Sequence, residues 1–441
     1  MNIKNTKTLT TRDKVLLTLL TLLALVILAL YSSWGRPLWL DEYLHFVFGG
    51  FDSIGDAWGA VQTSTTNINH GQTGFYMMLD FALLKTFGAN LFMMRLPSLL
   101  SAALLLFSAA LFLRRKNLGP IAIAAAFLLL LAQPNLMYFA GEARPYMPMA
   151  ASAMAALAYF STDMQTRTKT GMRVLIWGSM VWGALMMPYY LLYLPVITIT
   201  AYLIARLNGE KPRLIAFINL PVQITSVVVG VTISAFTWLR GSPTFSRDPW
   251  LIIRPLIDSV TAPQLIGLIF LGALIVFTLW QGLVHTTDRA RLERQLAAGT
   301  LLVLVMIAMS ILFAALSLSQ SYWILPRQFI ASQAIITVAV VWILASALLA
   351  NPKRYKVAVS TLFAIGVLAA AGRASVNQVD SLADWENNGY PVEGNPGDQV
   401  IQGIVVGPAN QNVTDGGPVL PEFTVIYDSP KYGPGENPLE Q

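Results

Sequence analysis

Cysteine is absent from the 441 residues, histidine appears only three times, and charged residues make up 12%. Without cysteine there is no disulfide framework, no thiolate metal site and no cysteine nucleophile. The low charge argues against a soluble protein, because an ordinary globular domain carries about 25% charged residues. No glycine-rich nucleotide fingerprint is present either. What the chain has in abundance is apolar side chains: 55% of residues are hydrophobic and the mean hydropathy is +0.58. This is the composition of a membrane protein. A formal net charge of +6 would suggest nucleic acid in a soluble chain. Here the basic residues fall mostly between apolar runs, so no nucleic-acid partner is expected.

The distribution of charge gives a topology. Basic Lys4, Lys7, Arg12 and Lys14 precede an uninterrupted apolar stretch over 15–33, which as a helix spans about 28 Å of a hydrocarbon core about 30 Å thick. The stretch exits through Leu30-Tyr31-Ser32-Ser33-Trp34-Gly35-Arg36-Pro37 without a small-x-small cleavage pattern, and so reads as a retained anchor. Further basic clusters stand at Arg114/Arg115/Lys116, Arg167/Lys169/Arg173, Arg206/Lys211/Arg213, Arg289/Arg291/Arg294 and Lys353/Arg354/Lys356, each in a short polar break. The positive-inside rule places all of them on the cytoplasmic side. Two cytoplasmic clusters must be joined by an even number of crossings, so the apolar stretch from Arg173 to Arg206 has to turn, and Pro188 marks the hairpin. The same parity predicts an all-α polytopic protein with about eleven transmembrane helices over 15–33, 93–113, 119–138, 144–161, 172–187, 189–205, 214–237, 263–284, 296–316, 328–350 and 355–372. The membrane domain is then 1–372, with an interfacial first outer loop over 34–92. Within that loop 75–87, interrupted by Asp80 and Lys85, is too short to span and reads as an interfacial helix. Residues 373–441 form an acidic, Gly/Pro-rich tail on the outer face, with two short strand-like runs and too few apolar residues to demand a folded core.

Parity brings four polar constellations to the outer side: Trp39-Leu40-Asp41-Glu42, Gly141-Glu142-Ala143-Arg144-Pro145-Tyr146, the loop from Trp238 to Pro263, and Ser321-Tyr322-Trp323 with Arg327. Adjacent carboxylates at a membrane edge repel and are partly desolvated. One then keeps its proton while the other stays ionised, as general acid/base chemistry requires. Asp41 is the expected base. The same pair equally suits the start of an interfacial helix, where acids favour the positive end of the dipole. Arg144 precedes Pro145 at the start of a helix, where a guanidinium fork suits a phosphate at headgroup depth, and Arg327 has a similar place; both residues also fit simple snorkelling, and Glu142 fits simple pairing with Arg144. His45, four residues after Asp41, shares its helix face if that segment is helical, and either orients the carboxylate or has no task. His70 is the one histidine in the first outer loop outside that helix. A divalent ion would need His70 together with Asp41, Glu42 or Asp52, and stays open as a cofactor. The loop 238–263 carries Arg240, Arg247, Arg254, Asp248 and Asp258, and suits either an acceptor site or a solvated connector.

Several of these residues together carry a resemblance. Leu38-Trp39-Leu40-Asp41-Glu42 after the first helix, His70 followed by Gly74-Phe75-Tyr76, Arg95-Leu96-Pro97-Ser98, Arg144-Pro145-Tyr146 and Pro326-Arg327-Gln328-Phe329 occur in this order. The pattern resembles the GT-C superfamily of integral membrane glycosyltransferases, in the branch of protein O-mannosyltransferases and aminoarabinose transferases. The resemblance covers 13–349. It implies a many-helix membrane fold, an active site at the outer (periplasmic) face of a bacterial inner membrane, and a sugar donor carried on a polyprenyl phosphate. The acceptor is a glycan, lipid or protein. The acidic pair maps onto Asp41 and Glu42 as the catalytic signature, and the donor-phosphate contacts onto Arg144, Arg327 and Tyr146. His70, Glu142 and Tyr322 are then expected to line the substrate groove. The reaction implied is attack of an acceptor hydroxyl on the anomeric carbon, with Asp41 as base, the lipid phosphate leaving and the configuration inverting. Two other classes remain open on the sequence: a secondary transporter, for which charges at helix midpoints and repeated halves are expected and neither is found, and a non-catalytic membrane scaffold of the same fold.

Overall fold

The computed structural model describes residues 53–63, 73–238 apart from 89, 288–320 and 326–350, with isolated positions elsewhere that include Glu42 and His45. The tail 373–441 lies outside the described residues. Of the expected crossings 15–33, 263–284 and 355–372 only scattered positions are described, and each of those is helical.

Among the described residues the regular structure is all helical: α1 Ile54–Thr63, α2 Phe75–Phe87, α3 Leu91–Arg115, α4 Pro120–Leu131, α5 Pro134–Ala140, α6 Tyr146–Phe160, α7 Met164–Arg167, α8 Thr170–Met186, α9 Tyr190–Leu207, α10 Leu214–Ile218, α11 Leu220–Trp238, α12 Arg289–Gln320 and α13 Ile330–Ala350, the last preceded by a 3-10 turn over Pro326–Phe329. Four stretches, Leu91–Arg115, Tyr190–Leu207, Arg289–Phe313 and Ile330–Ala350, are long and apolar enough to cross a membrane. The chain is a multi-pass membrane protein.

Local chemistry sets the boundaries. Asn90 caps α3, its side chain accepting from the amides of Phe92 at 3.0 Å and Met93 at 3.3 Å. Proline opens α4 and α5 at the first helical position, where its missing N–H is harmless. The reversal expected at Pro188 is present: Met187 is extended, as a residue before proline prefers, and α9 resumes at Tyr190. Two expected spans are interrupted. The stretch 119–138 divides into α4 and α5 at Gln133, because Pro134 can neither donate to the preceding turn nor fit against its carbonyl. The exposed polar groups at the break turn to α13. Gln133 donates to the Thr337 hydroxyl, and Asn135 donates to Gln333 Oε1 at 3.3 Å. The stretch 214–237 divides into α10 and α11 at Asn219, whose left-handed backbone (φ 53°, ψ 63°) ends one helix before the next begins.

Every one of the 15 residues of α6 is buried, and six of them are alanine. Small side chains allow α3, α8, α9 and α13 all to pack against this one helix. At Gly183 of α8 the packing leaves no room for a side chain: an added Cβ would stand 2.7 Å from Ser152 Cβ and 2.8 Å from Tyr190 Cγ. Helices α3 and α6 run parallel. They meet near their starts, where Ser98 Oγ of α3 donates to the carbonyl of Arg144 just before α6 at 3.1 Å, and near their ends, where Arg115 and Asp163, just after α6, approach to 4.0 Å. The end with Arg115 also gathers Arg167, whose guanidinium donates to the Thr162 and Phe217 carbonyls at 2.8 and 3.2 Å. Basic loops thus collect at one end of the bundle, and the first turns of α3 and α6 face the other.

The Gly183 contact is testable. Gly183→Ala is expected to destabilise the protein by about 1–3 kcal/mol through overpacking. Gly178→Ala on the same helix, where a Cβ meets nothing within 4 Å, is expected to be neutral or to stabilise by up to about 1 kcal/mol. Unfolding in detergent, followed for both variants, checks the contrast.

Candidate functional site

Six ionisable side chains are buried at the end of the bundle opposite the basic loops: Glu42, His45, Asp80, Arg95, Glu142 and Arg144, all 2% exposed or less. They arrive from four separated segments: the region of Glu42 and His45, helix α2, the first turns of α3, and the turn between α5 and α6.

Glu42 and Arg95 form the central contact. Arg95 Nε donates to Glu42 Oε1 at 3.0 Å and Nη2 donates to Oε2 at 2.9 Å, a bidentate fork. Glu42 Oε1 also accepts the backbone N–H of Ala143 at 2.8 Å. That third bond matters locally, because residues 141–145 form a fully buried turn whose amides need partners. One carboxylate therefore holds three segments in register.

A second chain of contacts lies beside it. His45 Nδ1 stands 2.7 Å from Asp80 Oδ2, and His45 Nε2 stands 3.5 Å from Arg144 Nη1, at the outer limit of hydrogen-bond reach. A guanidinium only donates. A neutral His45 that accepts at Nε2 carries its proton on Nδ1, facing Asp80. The His45 ring meets Tyr76 edge-on at 5.6 Å between centroids, and Tyr76 Oη pairs with Ser98 Oγ at 2.8 Å. Burial raises the Asp80 carboxyl well above the usual carboxylate range, and the Glu42 carboxylate adds to that rise; Arg144 opposes it. Arg144 also lies over the Tyr146 ring, with Cζ 5.6 Å from its centroid. Thr73, just before α2, donates to the Leu185 and Met186 carbonyls and fastens this end to the last turn of α8.

The residues expected from sequence are distributed as follows. Glu42, Arg144 and Tyr146 are buried close to one another, and Glu142 is buried in the same turn as Arg144. Arg144 does not snorkel: it is 2% exposed inside a cluster of carboxyl groups. The backbone of Arg327 lies in the 3-10 turn before α13, and the neighbouring Gln328 is buried with Nε2 3.5 Å from Tyr189 Oη. The Arg327 side chain, Asp41, His70, Tyr322 and the loop 239–263 lie outside the described residues. His45 is buried against Asp80 and Arg144. Asp80 and Arg95 are members that sequence reasoning assigns to no role in the site. A usable signal was present in both: a charged residue inside an otherwise apolar run, Met78-Leu79-Asp80-Phe81 and Met93-Met94-Arg95-Leu96, is rarely buried without a partner. Among the described residues no group of three His, Asp or Glu side chains is arranged to hold a metal ion.

No protein-family model and no curated protein matches the chain. Solved structures do. Apo ArnT from Cupriavidus metallidurans is 18% identical with a TM-score of 0.47, over 78% of this chain and 61% of that one. The same protein bound to undecaprenyl phosphate is 16% identical with a TM-score of 0.38, over 76% and 77%. The archaeal oligosaccharyltransferase AglB from Archaeoglobus fulgidus, in complex with an inhibitory peptide and a dolichol-phosphate, is 13% identical with a TM-score of 0.42, over 85% and 56%. The chain spans 61% of the length of apo ArnT and 56% of AglB. At these identities and TM-scores no residue role passes from the neighbours to this chain.

Arg95 is expected to be the most sensitive of the six positions. Arg95→Ala removes the guanidinium that pairs with the buried Glu42 carboxylate, at a cost of about 3–5 kcal/mol. Arg95→Lys recovers only part of that, because an ammonium cannot reproduce the two-point fork. Folded yield and unfolding temperature in detergent report both outcomes.

Proposed function

We propose that this protein is an integral membrane glycosyltransferase that moves a sugar from a polyprenyl-phosphate donor to an acceptor hydroxyl, with inversion at the anomeric carbon. The single observation that carries the reading is the Glu42 clamp: a buried carboxylate joins the segment bearing Asp41 to the turn bearing Arg144, although Glu42 and Ala143 are 101 residues apart in the chain. A base and an anion-holding guanidinium on adjoining backbone are what such a transfer requires. The end of the bundle opposite the basic loops is then the outer, periplasmic side of a bacterial inner membrane, reached from a lipid headgroup and from the aqueous phase alike.

In this reading Asp41 takes the proton of the acceptor hydroxyl as its oxygen bonds to the anomeric carbon, and the bond from that carbon to the phosphate oxygen breaks. The leaving lipid phosphate gains negative charge. A guanidinium fixed in a poorly solvated site stabilises that charge more in the transition state than in the ground state, an effect worth about 3–4 kcal/mol. Arg144 takes this role, with its guanidinium over the Tyr146 ring, and Arg327, in the turn before α13, is assigned a second contact to the phosphate. Glu42 serves chiefly as the clamp that aims Asp41, since both of its oxygens are engaged by Arg95. His70, Glu142 and Tyr322 line the groove for sugar and acceptor.

Transfer of label from a radiolabelled polyprenyl-phosphate sugar to membrane acceptors tests the reading. Asp41→Asn is expected to lower turnover by about 10² to 10⁴ fold with unchanged membrane insertion; wild-type turnover in that variant refutes the role of Asp41. Arg144→Ala is expected to weaken binding and use of the donor. Arg144→Lys restores only part of the loss, because the two-point contact to phosphate is gone.

A further inference from the structure

The reaction just described leaves two buried ionisable groups without a role, His45 and Asp80. Both are fully buried, they are 35 residues apart in the chain, and they meet at 2.7 Å. The described contacts run from Asp80 through His45 to Arg144. Asp80 accepts from Nδ1, which fixes the tautomer and ring orientation of His45. The imidazole then presents the Nε2 lone pair to Arg144 Nη1 at 3.5 Å. Tyr76 supports the ring edge-on, and through its contact with Ser98, which donates to the Arg144 carbonyl, ties the same ring to the Arg144 backbone. Arg144 is thereby held at its side chain by His45 and at its backbone by Ser98.

We propose that His45 and Asp80 form a positioning pair that aims the Arg144 guanidinium at the phosphate of the lipid-linked donor. The proposal rests on the reading of Arg144 as the donor-phosphate ligand and adds a reason for two residues which that reading leaves unexplained. The logic is that of an orienting carboxylate behind a histidine: the acid never meets the substrate, but it determines which ring nitrogen faces forward. An asparagine at position 80 can donate to Nδ1 through its amide. That turns the ring to the other tautomer and places an N–H against the Arg144 N–H, so the guanidinium is pushed off its aim while shape and burial are preserved. Neither His45 nor Asp80 touches the substrate, and their effect must pass entirely through Arg144.

A double-mutant cycle on the full-length protein in detergent tests this, with equilibrium binding of polyprenyl phosphate, carrying no sugar, as the readout. Asp80→Asn and His45→Asn are each expected to weaken binding by about tenfold in the wild-type background. In the Arg144→Ala background either change is expected to have almost no further effect. A merely structural role predicts instead that the losses multiply, since loosened packing weakens binding whether or not Arg144 is present. If Arg144→Ala weakens binding but Asp80→Asn and His45→Asn do not, or if their losses persist in full in the Arg144→Ala background, the positioning role is overturned and the proposed function stands. If Arg144→Ala binds polyprenyl phosphate like the wild type, Arg144 holds no phosphate and both readings fall. The two variants remove the pair from opposite sides, so one that does not fold leaves the other to decide.

Discussion

A carboxylate with a guanidinium fork on both oxygens and a backbone amide on one of them is the constraint on which this end of the molecule depends. In a poorly solvated interior an isolated ion is very unfavourable, and its partner has to be supplied in good geometry for the fold to exist at all. Glu42 and Arg95 meet that condition with two bonds of 3.0 and 2.9 Å. The same requirement makes the contact specific. Any other register of the Glu42 segment against α3 would leave two buried charges unmatched, and the turn 141–145 would lose the acceptor for its Ala143 amide.

The convergence is possible because α6 is thin. Its alanines give neighbouring helices a short radius of approach, so α3 and α8 come close enough that side chains of ordinary length reach across. Where even alanine is too large, glycine takes the contact at position 183. A bulkier central helix would move the first turn of α3 away from the turn before α6 and stretch the bond from Ser98 to the Arg144 carbonyl. The packing of the bundle and the geometry of the polar cluster are thus one arrangement seen at two depths.

Much of this was legible in the sequence, and the reasons are physical. Long apolar runs between basic clusters give the helices, because the membrane allows few alternatives. The reversal at Pro188 follows from parity and proline chemistry, and Arg144 before Pro145 announces a helix start. What the sequence did not disclose is pairing across distance. Spacing arguments on a helix reach three or four positions; they cannot pair Glu42 with Arg95, His45 with Asp80, or Glu42 with Ala143. Asp80 and Arg95 each stood out as a charge in an apolar run, but their partners lay 35 and 53 residues away. The interruptions at Gln133 and Asn219 were hidden for a different reason. Hydropathy does not register a proline or a left-handed asparagine, so 119–138 and 214–237 each read as a single element.

The interruption between α4 and α5 bears on biogenesis. Where a helix breaks at membrane depth, the freed polar groups cannot be left facing lipid. Here the side chains at the break are answered by Thr337 and Gln333 on α13, some two hundred positions further along the chain. These two contacts are complete only once α13 is in place, so a chain truncated before α13 would leave Gln133 and Asn135 without these partners.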